Sequence, residues 1–285
     1  MPRARVLALT ALALLAFAGN SLLCRVALKD TQIDPATFTA VRLISGALAL
    51  WLIVRVRGEV QRGGGGWASA FALFAYAAAF SYAYVNLSAG SGALLLFGAV
   101  QATMIAYGLW SGERLRAVQM LGLLLALGGL AGLLLPGLTA PPLPAAALML
   151  AAGAAWGIYS LRGRRAGAPL RTTAENFLRT IPFAVLLSIA ALHSASLDAA
   201  GVGYALASGI VTSALGYAVW YTALKGLTAT QAATVQLSVP IIAALGGVLL
   251  LGEQFTPRLV LAAAAILGGI ALVIAKREQS STPAR

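Results

Sequence analysis

Apolar runs of about 20 residues recur from one end of this chain to the other, each long enough to cross a hydrocarbon core of roughly 30 Å. In lipid the backbone N–H and C=O groups must be satisfied within the spanning structure, which leaves helices or a closed barrel. Barrel strands would alternate polar and apolar residues over about ten positions, and these runs do not. Composition agrees: 60% of the chain is hydrophobic and 10% charged, with a mean hydropathy of +0.88, against roughly 25% charged in soluble domains. The fold class expected is an all-α integral membrane protein.

Breaks at charges, Gly and Pro predict ten transmembrane helices, near residues 6–28, 35–55, 67–86, 89–110, 117–135, 144–161, 172–194, 201–224, 229–251 and 257–275. The connections are short, so residues 1–285 read as a single membrane domain. Arg and Lys set the orientation, because cytoplasmic loops carry the excess. With the N-terminus inside, the inner segments hold Arg3, Arg5, Arg55, Arg57, Arg62, Arg114, Arg116, Arg162, Arg164, Arg165, Arg171, Lys225, Lys276, Arg277 and Arg285. The outer loops hold only Lys29 and Arg258. Both termini are therefore expected in the cytoplasm.

The formal net charge of +12 is then the positive-inside signal facing anionic membrane lipid, not a footprint for nucleic acid. Arg3 and Arg5 followed by an apolar run resemble a signal peptide, but the run continues to Leu28, and an uncleaved first helix is expected. A single cysteine, Cys24, gives no disulfide framework. The preference for Arg over Lys, with abundant Ala, Leu and Gly, hints at a bacterial genome and hence an inner membrane.

The chain also repeats itself. A shift of 140 residues places Gly112-Glu113 on Gly252-Glu253 and Leu127-Gly128-Gly129 on Leu267-Gly268-Gly269; nearby shifts place Arg42 on Arg179 and Gly19 on Gly157. These offsets divide the chain into five-helix halves at 1–136 and 144–277. Five is odd, so equivalent helices cross the membrane in opposite senses. Inverted repeats recur in secondary transporters, where exchanging the conformations of the halves gives alternating access.

The order of these motifs resembles a known family. Gly19-Asn20 and Trp156-Gly157 lie in the first helix of each half, Arg42 and Arg179 in the second, Gly-Glu closes the fourth, and Leu-Gly-Gly sits in the fifth. This pattern is similar to the EamA-type branch of the drug/metabolite transporter superfamily. The resemblance implies a central cavity lined by helices three, four, eight and nine with parts of one and six. It also implies export of metabolites or amino acids, aromatic ones included, without a cofactor. Two positions depart from the pattern: Val100 stands where Pro240 has its counterpart, and Ala18 where a Trp is usual.

Candidate substrate-binding residues are the aromatic and uncharged polar groups within the spans. Aromatic rings offer stacking surfaces with polar tips; Tyr76, Phe80, Phe97 and Tyr217 lie deep in their spans, and Tyr82, Trp156 and Tyr159 are the further aromatic candidates. Asn20, Gln101, Gln231 and Gln236 are polar groups whose burial must be compensated, by a ligand or by a neighbouring helix. Gly128 with Gly132 and Gly153 with Gly157 have the spacing of helix-packing motifs, internal or across a homodimer.

Arg42 and Arg179 sit about a third of the way into their helices, where a structural role competes with anion recognition. If both bound anions, phosphorylated or nucleotide-linked metabolites would be the alternative substrates. All eight acids, Asp30, Asp34, Glu59, Glu113, Glu175, Asp198, Glu253 and Glu278, fall in loops or near helix ends. No carboxylate is placed to carry a proton at mid-membrane, so uncoupled transport is expected. An intramembrane enzyme is disfavoured, because His193, the one histidine, has no metal-ligating or nucleophilic residues patterned around it.

Overall fold

The computed structural model describes residues 1–58, 63–112, 114–137, 140–163, 168–227 and 229–275. Within these the chain is helical, without strands: α1 (Arg3–Asp30), α2 (Pro35–Val56), α3 (Trp67–Tyr84), α4 (Ala89–Trp110), α5 (Ala117–Leu134), α6 (Leu143–Gly163), α7 (Pro169–Ala190), α8 (Ala199–Leu224), α9 (Ala229–Gln236), α10 (Ser238–Leu251) and α11 (Pro257–Ala275). Eight helices are long and apolar enough to cross a membrane, counting α9 and α10 together from Thr234 to Leu251. The chain is thus a multi-pass membrane protein. Two helices fall outside that set for visible reasons: α3 is diluted by tyrosine, tryptophan and serine, and the first half of α7 carries Arg171, Glu175 and Arg179. Of the charged residues weighed above, Glu59, Arg62, Glu113, Arg164, Arg165, Lys276, Arg277, Glu278 and Arg285 lie outside the described residues.

The largest departure from the expected helices is the interruption between α9 and α10. Proline has no N–H to give the carbonyl four residues back, and its ring crowds that carbonyl. Pro240 therefore cannot bond to Gln236, and the helix breaks there, with Leu237 tightening to the Thr234 carbonyl at 3.1 Å. Val100 imposes no such restriction, and α4 runs unbroken. A second irregularity falls inside α8, where Ser208–Leu215 is wound as a π-helix.

Helices pack as α2 on α7, α5 on α11, α3 and α4 on α6, and α1 on α8 and α10. The repeated Leu-Gly-Gly motif explains one of these contacts. A Cβ on Gly129 would strike Ala265 and Ile266, and one on Gly269 would strike the Gly122 carbonyl and Ala126, so α5 and α11 meet backbone to backbone. Gly153 and Gly157 similarly admit α4 against α6.

Polar clamps tie the helix ends. Residues 63–66, which lead into α3, dock on α7: Gly64, Gly65 and Gly66 donate their amides to Thr172, Glu175 and Asn176 at 2.9–3.1 Å. Asp34 caps α2 through Ala36 and Thr37 and receives the Ser196 amide at 3.0 Å. Burial pushes its carboxyl upward, but these hydrogen bonds outweigh it and hold Asp34 below the ordinary value of 3.8. At the same end of the bundle Arg25 pairs with Glu253 at 3.3 Å and donates to the carbonyls of Tyr84 and Val85 at 2.9 and 3.0 Å. Glu253 in turn accepts the Ala89 amide at the start of α4 at 2.9 Å, where a carboxylate also complements the helix dipole.

Both partners of the Arg25–Glu253 pair are nearly enclosed, whereas Glu175 is a quarter exposed. Breaking an enclosed pair strands a buried charge, at about 3–5 kcal/mol, while a surface pair is worth about 0–1 kcal/mol. Glu253→Ala is therefore expected to lower the thermal midpoint in detergent well below that of Glu175→Ala, as read by tryptophan fluorescence.

Candidate functional site

The central cavity forms where the irregular backbone of α8 and the α9–α10 break face α1, α2, α3, α4 and α6. It is lined by Phe17, Asn20, Ser21, Arg42, Tyr76, Phe80, Leu96, Phe97, Trp156, Thr212, Ser213, Tyr217 and Gln236, and holds about 480 Å³ not filled by protein atoms, its open mouth included. π-Helical turns are rare and concentrate at functional sites; here the turn swings Ser208, Thr212 and Ser213 toward α1 and α2. Gly209 makes that approach possible, since a Cβ there would strike the Arg42 carbonyl and the Ser45 hydroxyl.

Arg42 dominates the polar side of the cavity. It is 2% exposed, and its Nη2 donates to the Tyr76 hydroxyl at 3.2 Å. The guanidinium lies 5.4 Å from the Tyr76 ring centre and 5.2 Å from that of Phe80. Nε and Nη1 have no hydrogen-bond partner, and no described carboxylate pairs with Arg42.

Asn20 stands opposite on α1. Its Oδ1 accepts from Ser208 at 2.7 Å and from Thr212 at 3.3 Å, and its Nδ2 donates to the Tyr76 hydroxyl at 3.4 Å. The other wall is aromatic. Trp156 lies 4.9 Å from Tyr76 and stacks on Tyr217 at 5.7 Å with planes 17° apart, and Phe17 meets Tyr217 at 5.9 Å.

Of the residues singled out in the sequence, Asn20, Tyr76, Phe80, Phe97, Trp156, Tyr217 and Gln236 are brought together here. Gln236 reaches the cavity because the helix breaks just beyond it. Tyr159 lies one layer behind, stacked on Trp156 at 5.3 Å and bonded among Thr173 and Asn176. Gln101 faces a separate apolar cleft between α4, α5 and α11, with Leu123, Leu127 and Ile266. Tyr82 does not line the cavity, and Gln231 is exposed on α9. The cavity adds Phe17, Ser21, Leu96, Thr212 and Ser213 to the sequence set. The signal for the last two was present: adjacent hydroxyls in the middle of an apolar run.

A cavity that joins an under-compensated cation to a wall of rings is suited to a small amphipathic solute with an anionic group. Comparisons with known proteins agree with a solute-handling role. The chain is 61% identical to uncharacterized protein PA1977 of Pseudomonas aeruginosa over 97% of both chains. It is 35% identical to the threonine/homoserine exporter RhtA of Escherichia coli K12 over 123 residues, 42% of each chain. With the RhtA of Salmonella typhimurium LT2 the identity is 34% over 147 residues, 48% of each. One solved crystal structure shares the fold with a TM-score of 0.66, covering 97% of this chain and 99% of its own at 20% identity. The model of the EamA-like transporter family matches twice, over residues 4–135 and 143–275. With nearly the whole length accounted for by two successive matches, the chain belongs to the EamA-like transporter family.

Proposed function

We propose that this protein is a secondary exporter of small carboxylate-bearing metabolites, amino acids foremost and aromatic ones among them, working by alternating access around the cavity at Arg42. The observation that carries this reading is the buried Arg42 guanidinium, two of whose nitrogens have no protein partner in a cavity walled by rings. A carboxylate oxygen is the natural acceptor for either of these N–H groups. The Gln236 amide and the Ser213 hydroxyl line the same cavity as acceptors for an amino group, and Trp156, Tyr217 and Phe17 offer stacking surface for a side chain. Similarity to the threonine/homoserine exporters supports the amino-acid class; the ring wall favours larger side chains within it.

The membrane arrangement belongs to the same proposal. Ten spans result when α3 and α7 are added to the eight, in two inverted halves, with both termini in the cytoplasm of a bacterial cell. The double family match supports the halves, as do the packing pairs. Exchanging the halves maps α1 on α8 to α6 on α3, and α1 on α10 to α6 on α4, and leaves α2 on α7 and α5 on α11 unchanged. The Arg25–Glu253 clasp then seals the outer end. On the inner side α4 is loose, with Gly108 its one buried residue between 101 and 110.

A phosphorylated ligand shared between Arg42 and Arg179 finds less support. Arg179 lies outside the cavity, 3.7 Å from Glu175 and donating to that residue's carbonyl at 3.0 Å. One cation suits a carboxylate better than a doubly charged phosphate.

Proteoliposomes holding the purified protein are expected to take up radiolabelled L-phenylalanine or L-threonine saturably, without an imposed ion gradient and above empty liposomes. Uptake of neither, by protein shown to be folded, would contradict the amino-acid reading. Arg42→Met separates function from structure. Replacing a buried, poorly paired charge by an apolar group of similar volume is often neutral or stabilising. The variant is expected to keep or raise its ligand-free melting temperature while losing uptake by at least about tenfold. A structural Arg42 would show the reverse pattern, a lowered melting temperature with uptake per folded molecule retained.

A further inference from the structure

We infer that Asn20 is a positioning residue that turns the Tyr76 hydroxyl proton into the cavity, so that this corner presents only donors and selects a free carboxylate over its amide. The inference rests on the proposed amino-acid site and adds to it a specificity determinant built from Asn20, Ser208 and Tyr76.

Ser208 is fully buried, and its one hydroxyl proton goes to Asn20 Oδ1 at 2.7 Å. Thr212 approaches the same oxygen at 3.3 Å. Both belong to the π-helical turn, so the irregular backbone of α8 fixes which face of the Asn20 amide looks toward α3. That face is the NH₂ group, which donates to Tyr76 Oη at 3.4 Å. Arg42 Nη2 donates to the same oxygen at 3.2 Å. A phenol has one proton to give and receives through its lone pairs. With two donors pointing at Oη, the proton of Tyr76 must point elsewhere, and no described residue accepts it. Tyr76 lines the cavity, so its proton is available to a ligand beside the free Nε and Nη1 of Arg42.

Were the Asn20 amide turned the other way, Oδ1 would accept the phenol proton. Tyr76 would then show the ligand a lone pair, which repels a carboxylate and suits an N–H. The direction of this one amide therefore decides whether the corner reads an acid or tolerates an amide. Sites whose buried polar groups are left unpaired by the wrong ligand discriminate strongly.

The test is displacement of tritiated L-phenylalanine or L-threonine from purified protein by the unlabelled acid and by its amide. Wild-type protein should favour the acid by at least about thirtyfold. Tyr76→Phe removes only the hydroxyl and should cut that preference about tenfold, the scale of one charge-assisted bond, with the affinity for the amide nearly unchanged. Ser208→Ala releases the Asn20 amide and should cut the preference in the same direction. Asn20→Asp sets a carboxylate beside Arg42 and should abolish acid binding. A merely structural role would lower acid and amide affinities together and leave their ratio intact. That result, or a wild-type ratio near one, would overturn the inference while the amino-acid reading stands. Failure of wild-type protein to bind either labelled amino acid would overturn both.

Discussion

A guanidinium that is 2% exposed among apolar helices has to be compensated, and the protein compensates Arg42 only in part. Two ring faces and one neutral hydroxyl attend it. Cation–π contacts are worth about 0.5–2 kcal/mol, whereas a charge at the centre of a membrane helix costs about 2.5–3.5 kcal/mol on insertion scales. The local geometry is organised around this residue. α2 carries it against the π-helical turn of α8, α3 brings Tyr76 and Phe80 beneath it, and α1 supplies Asn20 across from it. A charge held in this way stores free energy that a ligand can recover, which is the usual relation between a strained or unsatisfied site and the stable scaffold around it.

The helices that carry Asn20, Arg42, Tyr76 and Trp156 are regular, and the irregular backbone lies in α8 and between α9 and α10. Non-helical backbone at membrane depth is tolerated when it is enclosed in protein or lines a cavity, and discontinuous helices mark binding sites in several transporter folds. Both irregularities here border the same cavity. Pro240 breaks the helix between α9 and α10 and leaves Gln236 at the cavity edge; the π-turn tilts Ser208 and Thr212 onto Asn20. Only one half of the chain carries the proline, so the two halves, similar in sequence, present different surfaces. A site built from unlike halves can hold an asymmetric solute in one orientation.

Much of this was legible in the sequence. Long apolar runs fixed the helix class, and turn residues placed most boundaries within a few positions. Of the glycine pairs expected to mark helix packing, Gly153 and Gly157 do meet α4, whereas Gly128 and Gly132 meet nothing and Gly129 makes the contact with α11 instead. Within the site, the pair Tyr76 and Phe80 share a face because they are four residues apart. The same rule counts against Tyr82, which lies two residues past Phe80 and so about 200° around the helix. Other features had no local signal. A helix that is apolar all round does not reveal its rotation, so Gln101 turns toward α5 and α11 for reasons that lie in those helices. The π-turn packs against Arg42 and Ser45 through Gly209, a contact between residues far apart in sequence. Arg42 itself was visible, but its missing partners were not, because an unmet hydrogen bond is a property of the packed molecule.

The central claim is that the Arg42 guanidinium receives the anionic group of the solute. A structure of the protein with an amino acid bound tests it most directly. A ligand carboxylate is expected within hydrogen-bond distance of the Arg42 guanidinium, at Nε or at Nη1, with the ligand side chain against Trp156 and Tyr217. A ligand seated with its carboxylate away from Arg42, or an Arg42 turned to pair with a protein carboxylate, would contradict it.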